Sequence, residues 1–513
     1  MGQENDARPS GAALALALTI AALGIAAIGP AYLNHDAAWY LVMARRWLDG
    51  ATLYRDVVDT NPPLIVWLST PAVWIAGLAG IPATAVFKGF VIMLAAASVA
   101  AVRTTTRRAW PEHEYLIVIA AAFLCLPFAK NDFGQREHLA VLLTMPYIVA
   151  AAAPGTAARW RWTVGIAAGL GFAIKPHFLL AWLAVEGVGL ATSGARQLRR
   201  PEALAAVATT TLYGLAVAIA VPQYFTVVGQ VRQVYGALNS PASVLLRLRE
   251  VQLWMVGAAA FVAVRWPSSS RLPGVAFAAA TAFLLAALLQ LKGWNYHLYP
   301  ARVWTLFFFV VAAGTIVERL PSALALLRGG RRGLAVVFAG ALIAMSVRYI
   351  AEARNPATAD LVSPLAAAMQ VYAPAAPVAV LSMRTIIYPA FPAVNYAGAV
   401  WRLRHNSLLF LSGFYQAQGL RAGGPLQPHT LDEMPPLERT FFDEVLDDLC
   451  AAPPRLLVIE RAEASAPAGR RALDLQRYYR QSERGEHLLD AYEQRESIGP
   501  FTLFTPVRPP SCR

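Results

Sequence analysis

Apolar positions in this chain come in long, nearly uninterrupted runs rather than in the alternations or one-sided stripes of a water-soluble fold. The first run, Ala12 to Gly29, follows a short polar N-terminus with one basic residue, Arg8. No clear small-residue cleavage site precedes Asn34-His35-Asp36, so the run reads as an uncleaved first helix and not as a signal peptide. Further runs lie near 62–81, 83–102, 115–129, 138–153, 162–174, 177–193, 203–222, 250–265, 272–291, 298–317 and 333–350. Most approach the roughly 20 residues that a helix needs to cross a bilayer core.

The pattern changes at about Ala351, beyond which Pro, Asp, Glu and Arg become frequent and long apolar runs stop. Pro377 to Ser382 (PVAVLS) and Arg455 to Glu460 (RLLVIE) read as short buried strands between turn signals. Leu437 to Cys450 (LERTFFDEVLDDLC) reads as an amphipathic helix ahead of Pro453-Pro454. The expected architecture is an α-helical polytopic membrane domain over 1–350, with interfacial helices, followed by a small soluble α/β domain over 351–513.

Composition sharpens this. Of 513 residues, 57% are hydrophobic and 15% charged, with a mean hydropathy of +0.46. Soluble domains carry about 25% charged residues, and disordered chains are less apolar still. Three cysteines are too few for a disulfide scaffold. The net charge of +13 therefore reports sidedness in a membrane rather than nucleic-acid binding.

Fourteen arginines fall in alternate short loops: Arg103, Arg107 and Arg108; Arg159 and Arg161; Arg196, Arg199 and Arg200; Arg265 and Arg271; Arg319, Arg328, Arg331 and Arg332. The intervening loops hold fewer basic residues, mainly Lys130, Arg136, Lys175, Arg232, Arg247, Arg249 and Lys292. The positive-inside rule places the fourteen in the cytoplasm. With Asp36 outside, a single full crossing must separate it from Arg103. The run at 62–81 opens with Pro62-Pro63 and is interrupted by Pro71 and Gly77, so it is read as an interfacial or re-entrant element. About eleven crossings result, with the C-terminal domain on the periplasmic side of an inner membrane.

On that topology the unusual polar residues collect at outer helix ends. His35, His138, His177 and His297 lie there beside Asp36, Glu137, Lys175 and Lys292, and ionisable groups near membrane depth are functional candidates by default. The richest segment is Asn34 to Trp67, NHDAAWYLVMARRWLDGATLYRDVVDTNPPLIVW. Trp39, Tyr40, Val42, Met43, Trp47 and Leu48 recur at helical spacing opposite Arg45, Arg46 and Asp49, which predicts an amphipathic helix in the interface plane, ended by Gly50. Tyr54-Arg55-Asp56 then leads to Asp59-Thr60-Asn61-Pro62-Pro63.

An acidic residue just after the first helix, an aromatic interfacial helix, Gly, Tyr-Arg-Asp and a polar-Pro-Pro turn resemble the opening of the GT-C glycosyltransferases, in particular the branch of protein O-mannosyltransferases and the lipid A aminoarabinose transferase. The resemblance is specific over about residues 12–70. It implies an enzyme that moves a sugar from a polyprenyl-phosphate donor to an envelope glycan, lipid or protein acceptor on the outer membrane face. Asp36 matches the family's first-loop acid, expected to take the acceptor's proton or position the attacking group; Ala37 follows where many relatives have Glu. Glu137, with Asp132 as rival, matches a second acid at the start of a later span. His35, Tyr40, Tyr54, Arg55, Asp56 and Asp59 are expected to support the first loop.

A departing lipid phosphate needs cations at the outer boundary. Lys175 and His177 in Lys175-Pro-His177-Phe, Lys292 and His297 in Lys292-Gly-Trp-Asn-Tyr-His297, and Arg136 are the candidates. His35-Asp36 and Glu137-His138 admit a divalent metal, but no spacing is diagnostic, and no cofactor is expected. There is no P-loop and no Gly-x-Ser-x-Gly elbow. A non-enzymatic transporter of lipid-linked saccharides is the competing class, and it predicts charges at mid-span. The segment Pro389-Ala-Phe391-Pro-Ala-Val-Asn395-Tyr-Ala-Gly reads either as a carbohydrate contact through its aromatics or, equally, as a packed loop. Cys450 and Cys512, both in the outer domain, are expected to form a disulfide, while Cys125 is structural.

Overall fold

The computed structural model describes residues 11–153, 158–263, 271–319, 325–354, 360–384, 386–419, 428–461 and 473–512; Arg8 and Arg265 lie outside them. The helices are α1 (Gly11–Ile28), α2 (His35–Leu48), α3 (Leu64–Ala79), α4 (Ala83–Ala109), α5 (Glu114–Cys125), α6 (Arg136–Ala152), α7 (Ala158–Ala173), α8 (Leu179–Ser193), α9 (Pro201–Ala220) and α10 (Gln223–Tyr235). They continue as α11 (Ala242–Leu245), α12 (Arg249–Ala263), α13 (Leu272–Leu289), α14 (Tyr299–Arg319), α15 (Ala325–Arg354), α16 (Val362–Tyr372), α17 (Ala390–Ala397), α18 (Leu409–Gly419), α19 (Pro436–Ala451), α20 (Leu475–Tyr479) and α21 (Glu483–Leu489). Every apolar run falls on a helix. Among the described residues, six helical stretches are long and apolar enough to cross a membrane: Ala83–Ala109, Pro111–Asp132, Pro176–Arg199, Pro201–Ala220, Leu272–Leu289 and Asn295–Ile316. α3 has 16 residues, about 24 Å at 1.5 Å per residue, short of a core of about 30 Å.

The chain forms two compact units, neither a single stretch. The first comprises 1–32, 85–216 and 240–357, and the second 33–84, 217–239 and 358–513. In the first, α13 packs on α14 and α8, α6 on α7, and α1 on α5 and α15. Close approach is local and specific: a Cβ on Gly165 would stand 2.4 Å from the Glu202 carbonyl oxygen, so only glycine lets α7 meet α9 there. Arg161 and Arg200, read as sidedness marks, do more. Arg161 pairs with Glu202 at 2.5 Å, and Arg200 with Glu202 at 2.7 Å and Glu186 at 2.6 Å, which also accepts from the Tyr147 hydroxyl. Paired and hydrogen-bonded, these charges tolerate burial.

The second unit holds a five-stranded sheet in the order β2-β1-β3-β5-β4, from β1 (Pro377–Leu381), β2 (Val400–Trp401), β3 (Leu456–Glu460), β4 (Tyr492–Ile498) and β5 (Phe501–Pro506). β2, β1 and β3 are parallel, and β5 runs antiparallel to β3 and β4. The two strands and the helix read from the sequence are β1, β3 and α19. A disulfide joins Cys450 to Cys512, as expected, and Cys125 is free and buried.

The aromatic face of α2 turns out to be a protein core. Trp39, Tyr40 and Met43 are buried, with the Trp39 ring 5.1 Å from Phe391 and 6.5 Å from Trp401. Only Trp47 and Leu48 stay exposed. Phe391, a candidate sugar contact, is thus a packing residue, and the Asn395 amide donates to the Ala38 carbonyl oxygen at 3.0 Å. A one-sided apolar stripe does not distinguish lipid from protein as its partner.

Candidate active site

In the second unit the first-loop residues are ordered by hydrogen bonds that start at Asn34. Its Oδ1 accepts the Asp36 N–H at 2.9 Å, capping α2. Asp36 therefore occupies the first turn, where the helix dipole favours a carboxylate. His35 Nε2 is 3.5 Å from its Oδ1, and the Asp36 side chain is 18% exposed, open enough to meet a reactant.

Below this turn Trp39 Nε1 donates to Asp59 Oδ2 at 2.9 Å, and Asp59 Oδ1 accepts the backbone and side-chain N–H groups of Asn61, each at 2.7 Å. The Asn61 amide also donates to the Tyr40 hydroxyl at 3.3 Å, and the Tyr54 hydroxyl donates to the Asn61 carbonyl oxygen. Tyr54 takes a left-handed φ of 64°, with its ring 5.2 Å from Tyr224; such backbone persists only where neighbours fix it. Tyr40, Tyr54 and Asp59 thus share one network. Arg55 and Asp56 form a surface turn pair at 2.9 Å, Arg55 being 66% exposed. The Arg55 hydrogen bonds hold the Asp56 carboxyl down to about 2, against the desolvation of its setting. Asn61 is the hub that sequence reasoning did not single out. Its signal was the Asp-x-Asn turn, in which the aspartate bonds backbone two residues on.

In the first unit the loop before α6 is set by Gly134, at φ 77°, whose N–H donates to His138 Nδ1 at 3.1 Å, while His138 Nε2 donates to the Cys125 carbonyl oxygen at 2.8 Å. Both His138 nitrogens are engaged. Arg136 and Glu137 fall in the first turn of α6. Glu137 is fully buried and accepts from Lys175 Nζ at 2.5 Å; Lys175 also donates to Gln290 Oε1 at 3.3 Å. The Tyr296 ring faces Lys175 Nζ at 5.5 Å and Arg136 Cζ at 5.7 Å, and His297 meets it edge-on at 4.4 Å. His177 is within electrostatic reach of Lys175 and Arg136, and His297 of those two, His177 and Lys292. Burial lowers the Lys292 amine to about 8.

The structure therefore brings together Arg136, Glu137, Lys175, His177, Lys292 and His297. Among the described residues, Glu137 Oε2, His177 Nε2 and His297 Nδ1 are buried without hydrogen-bond partners, a condition native proteins rarely leave outside a site. Arg136, Lys175 and Lys292 gather with a single carboxylate, Glu137, an arrangement able to hold an anion. Asp132 is engaged by Arg302 at 3.8 Å, which also reaches Glu250 at 3.4 Å. Gln290 and Tyr296 were not singled out by sequence reasoning; for Gln290 no sequence signal exists. Among the described residues, no group of three or more His, Cys, Asp or Glu side chains could hold a metal ion.

These elements make a polytopic α-helical membrane protein with a small C-terminal α/β sheet. The fold is similar to that of ArnT from Cupriavidus metallidurans, solved bound to undecaprenyl phosphate, with a TM-score of 0.51 and 12% identity, over 96% of this chain and 98% of that one. The archaeal oligosaccharyltransferase AglB from Archaeoglobus fulgidus, solved with an inhibitory peptide and a dolichol-phosphate, aligns at a TM-score of 0.47 and 12% identity, over 95% of this chain and 74% of that one. No family model matches the sequence. No curated protein matches it either.

Proposed function

We infer that the chain is a membrane glycosyltransferase that transfers a sugar from a polyprenyl-phosphate donor to an envelope glycan, lipid or protein acceptor on the outer face of an inner membrane. The buried cation cluster of Arg136, Lys175 and Lys292 carries this reading, in a fold similar to that of an enzyme solved with undecaprenyl phosphate. The phosphoryl group gains negative charge as the glycosidic bond to it breaks, and preorganised cations stabilise that charge without reorganising. Lys175, clamped by Glu137 and Gln290, and Arg136 are assigned to the phosphate. Lys292, His177 and His297 complete its surroundings.

Asp36 is assigned as the group that accepts the acceptor's proton, since a hydroxyl attacks poorly until relieved of it. Tyr40, Tyr54, Asp59 and Asn61 position the turn that follows. Glu137 is assigned as the positioning counter-ion of Lys175. The test is Asp36→Asn in membranes supplied with labelled polyprenyl-phosphate sugar: transfer should fall by about 10²–10⁴, the usual worth of a general base, with expression unchanged. Undiminished transfer would remove Asp36 from this role. A transporter would instead move the lipid-linked sugar across sealed vesicles without consuming it.

A further inference from the structure

The polar side of α2 is not uniform. Arg45 and Asp49 pair at the surface at 3.0 Å, one helical turn apart. Arg46, which the sequence places on the same water-facing side, is half-buried. Its Nη1 donates to the Leu403 carbonyl oxygen at 2.6 Å and its Nη2 to the Asp56 carbonyl oxygen at 2.7 Å. Both carbonyls belong to irregular backbone, whose polar groups no helix or sheet ladder satisfies. One side chain thus joins α2, the turn ahead of Asp59 and the segment that follows β2. A planar guanidinium fork holds two acceptors at once, as a lysine ammonium on its flexible stem does not.

A second tie runs beside the first, from the Val58 N–H to the Arg404 carbonyl oxygen at 2.7 Å. Segment 403–405 is itself anchored on α19. Arg404 donates through Nη2 to Asp448 Oδ1 at 2.9 Å and through its backbone N–H to Asp448 Oδ2 at 2.6 Å, and His405 Nε2 lies 2.9 Å from Glu444 Oε2. Within the turn, the Tyr54 N–H closes on the Val57 carbonyl oxygen at 2.8 Å, which shapes the turn, while Arg46 and the Arg404 carbonyl attach it to the C-terminal domain. The attachment leads on. Val58 adjoins Asp59, which holds the Trp39 indole N–H at 2.9 Å, within one turn of α2 from Asp36.

We propose that the C-terminal α/β domain positions the first loop, with Arg46 as the positioning residue that acts through the 56–59 turn on the helix turn carrying Asp36. The catalytic consequence rests on the glycosyltransferase reading and the tether does not, so the two are measured separately on full-length protein in detergent. Without substrate, Arg46→Gln should speed amide hydrogen exchange over residues 52–58 by about tenfold or more, as loss of hydrogen bonds from a charged donor implies. Strands β1 and β3 should stay protected. In transfer assays its kcat should fall by about 10²-fold, the worth of a small misplacement, with donor KM within about twofold of the native value. Arg46→Lys, which keeps the charge and loses the fork, should resemble Arg46→Gln, whereas Arg45→Gln should match the native protein in both measurements. Unchanged exchange over 52–58 in Arg46→Gln overturns the proposal. So does faster exchange with native kcat, full activity in Arg46→Lys, or a loss of protection that extends equally to β1 and β3. Because Arg46→Gln alters α2 itself, Asp448→Asn loosens the same segment from the α19 side; exchange over 52–58 left unmoved there also overturns it. Absence of transfer by the native protein would count against the enzymatic reading alone, and the exchange pattern would still decide whether the domain holds the loop.

Discussion

Lys175 and Glu137 are 4% and 0% exposed, so removing one strands the charge of the other. Breaking a buried ion pair from one side costs about 3–5 kcal/mol. Lys175→Met should therefore lower the melting temperature sharply and weaken the donor's interaction. The double variant Glu137→Gln/Lys175→Met should recover most of the stability without recovering transfer, and recovery of both would leave the pair a purely structural role. Lys292 gives a different signature. Burial lowers its amine to about 8, whereas in the unfolded chain it titrates near the ordinary 10.4 or so. Between these values the unfolded state binds more protons, so the Lys292 contribution to stability rises with pH. Over the same window the folded site loses a cation. Donor KM should climb above about pH 8 while thermal stability does not fall, and Lys292→Arg should move the limb upward; a KM flat to pH 9.5 would exclude Lys292 from the phosphate site.

At the scale of elements, the turn from Val57 to Pro63 depends on Asp59, which receives the Trp39 indole N–H and two bonds from Asn61. Asp59→Ala leaves that buried indole N–H unpaired, at a cost of about 1–3 kcal/mol. It should lower kcat more than it raises KM and open residues 50–63 to limited proteolysis; Asp59→Asn should be milder. Much of this level was legible in the sequence. Helices announced themselves by apolar length, β1 and β3 by short bounded runs, and the loop by its Asp, Tyr and Pro-Pro spacing. The packing partners were not legible, because a stripe such as Trp39-Tyr40-Met43 is the same whether it faces lipid or Phe391. Nor could composition reveal that 33–84 folds with residues beyond 358. The ion pair of Glu137 with Lys175 joins positions 38 apart, and nothing local in either sequence segment encodes it. For α3, read as non-crossing, the check is side-specific labelling. A cysteine in place of Arg108, an exposed residue at the end of α4, should react with impermeant maleimide only after the cytoplasm is opened. Labelling in intact cells would give α3 a full crossing.

Over the whole molecule, two independent features bear on sidedness. One is the alternation of arginines, which concerns the short loops. The other is chemical: the Cys450–Cys512 disulfide closes 62 residues that include β3, β4 and β5. On the chain-entropy account a loop of that size stabilises the folded state by up to about 4 kcal/mol, and such bonds persist in the periplasm but not in a reducing cytosol. On the sidedness we propose from the arginines the C-terminal sheet lies outside, and the disulfide has lasting value only there. The two arguments stand or fall together in one measurement. If thiols are alkylated in intact cells before lysis, peptides containing Cys450 and Cys512 should be recovered cross-linked, and Cys450→Ser/Cys512→Ser should melt several degrees lower. Recovery of both cysteines alkylated would place the sheet in a reducing compartment. It would invert the arginine map with it, and so move Asp36 and the lysine cluster to the opposite face from the one on which a donor displayed outside could reach them.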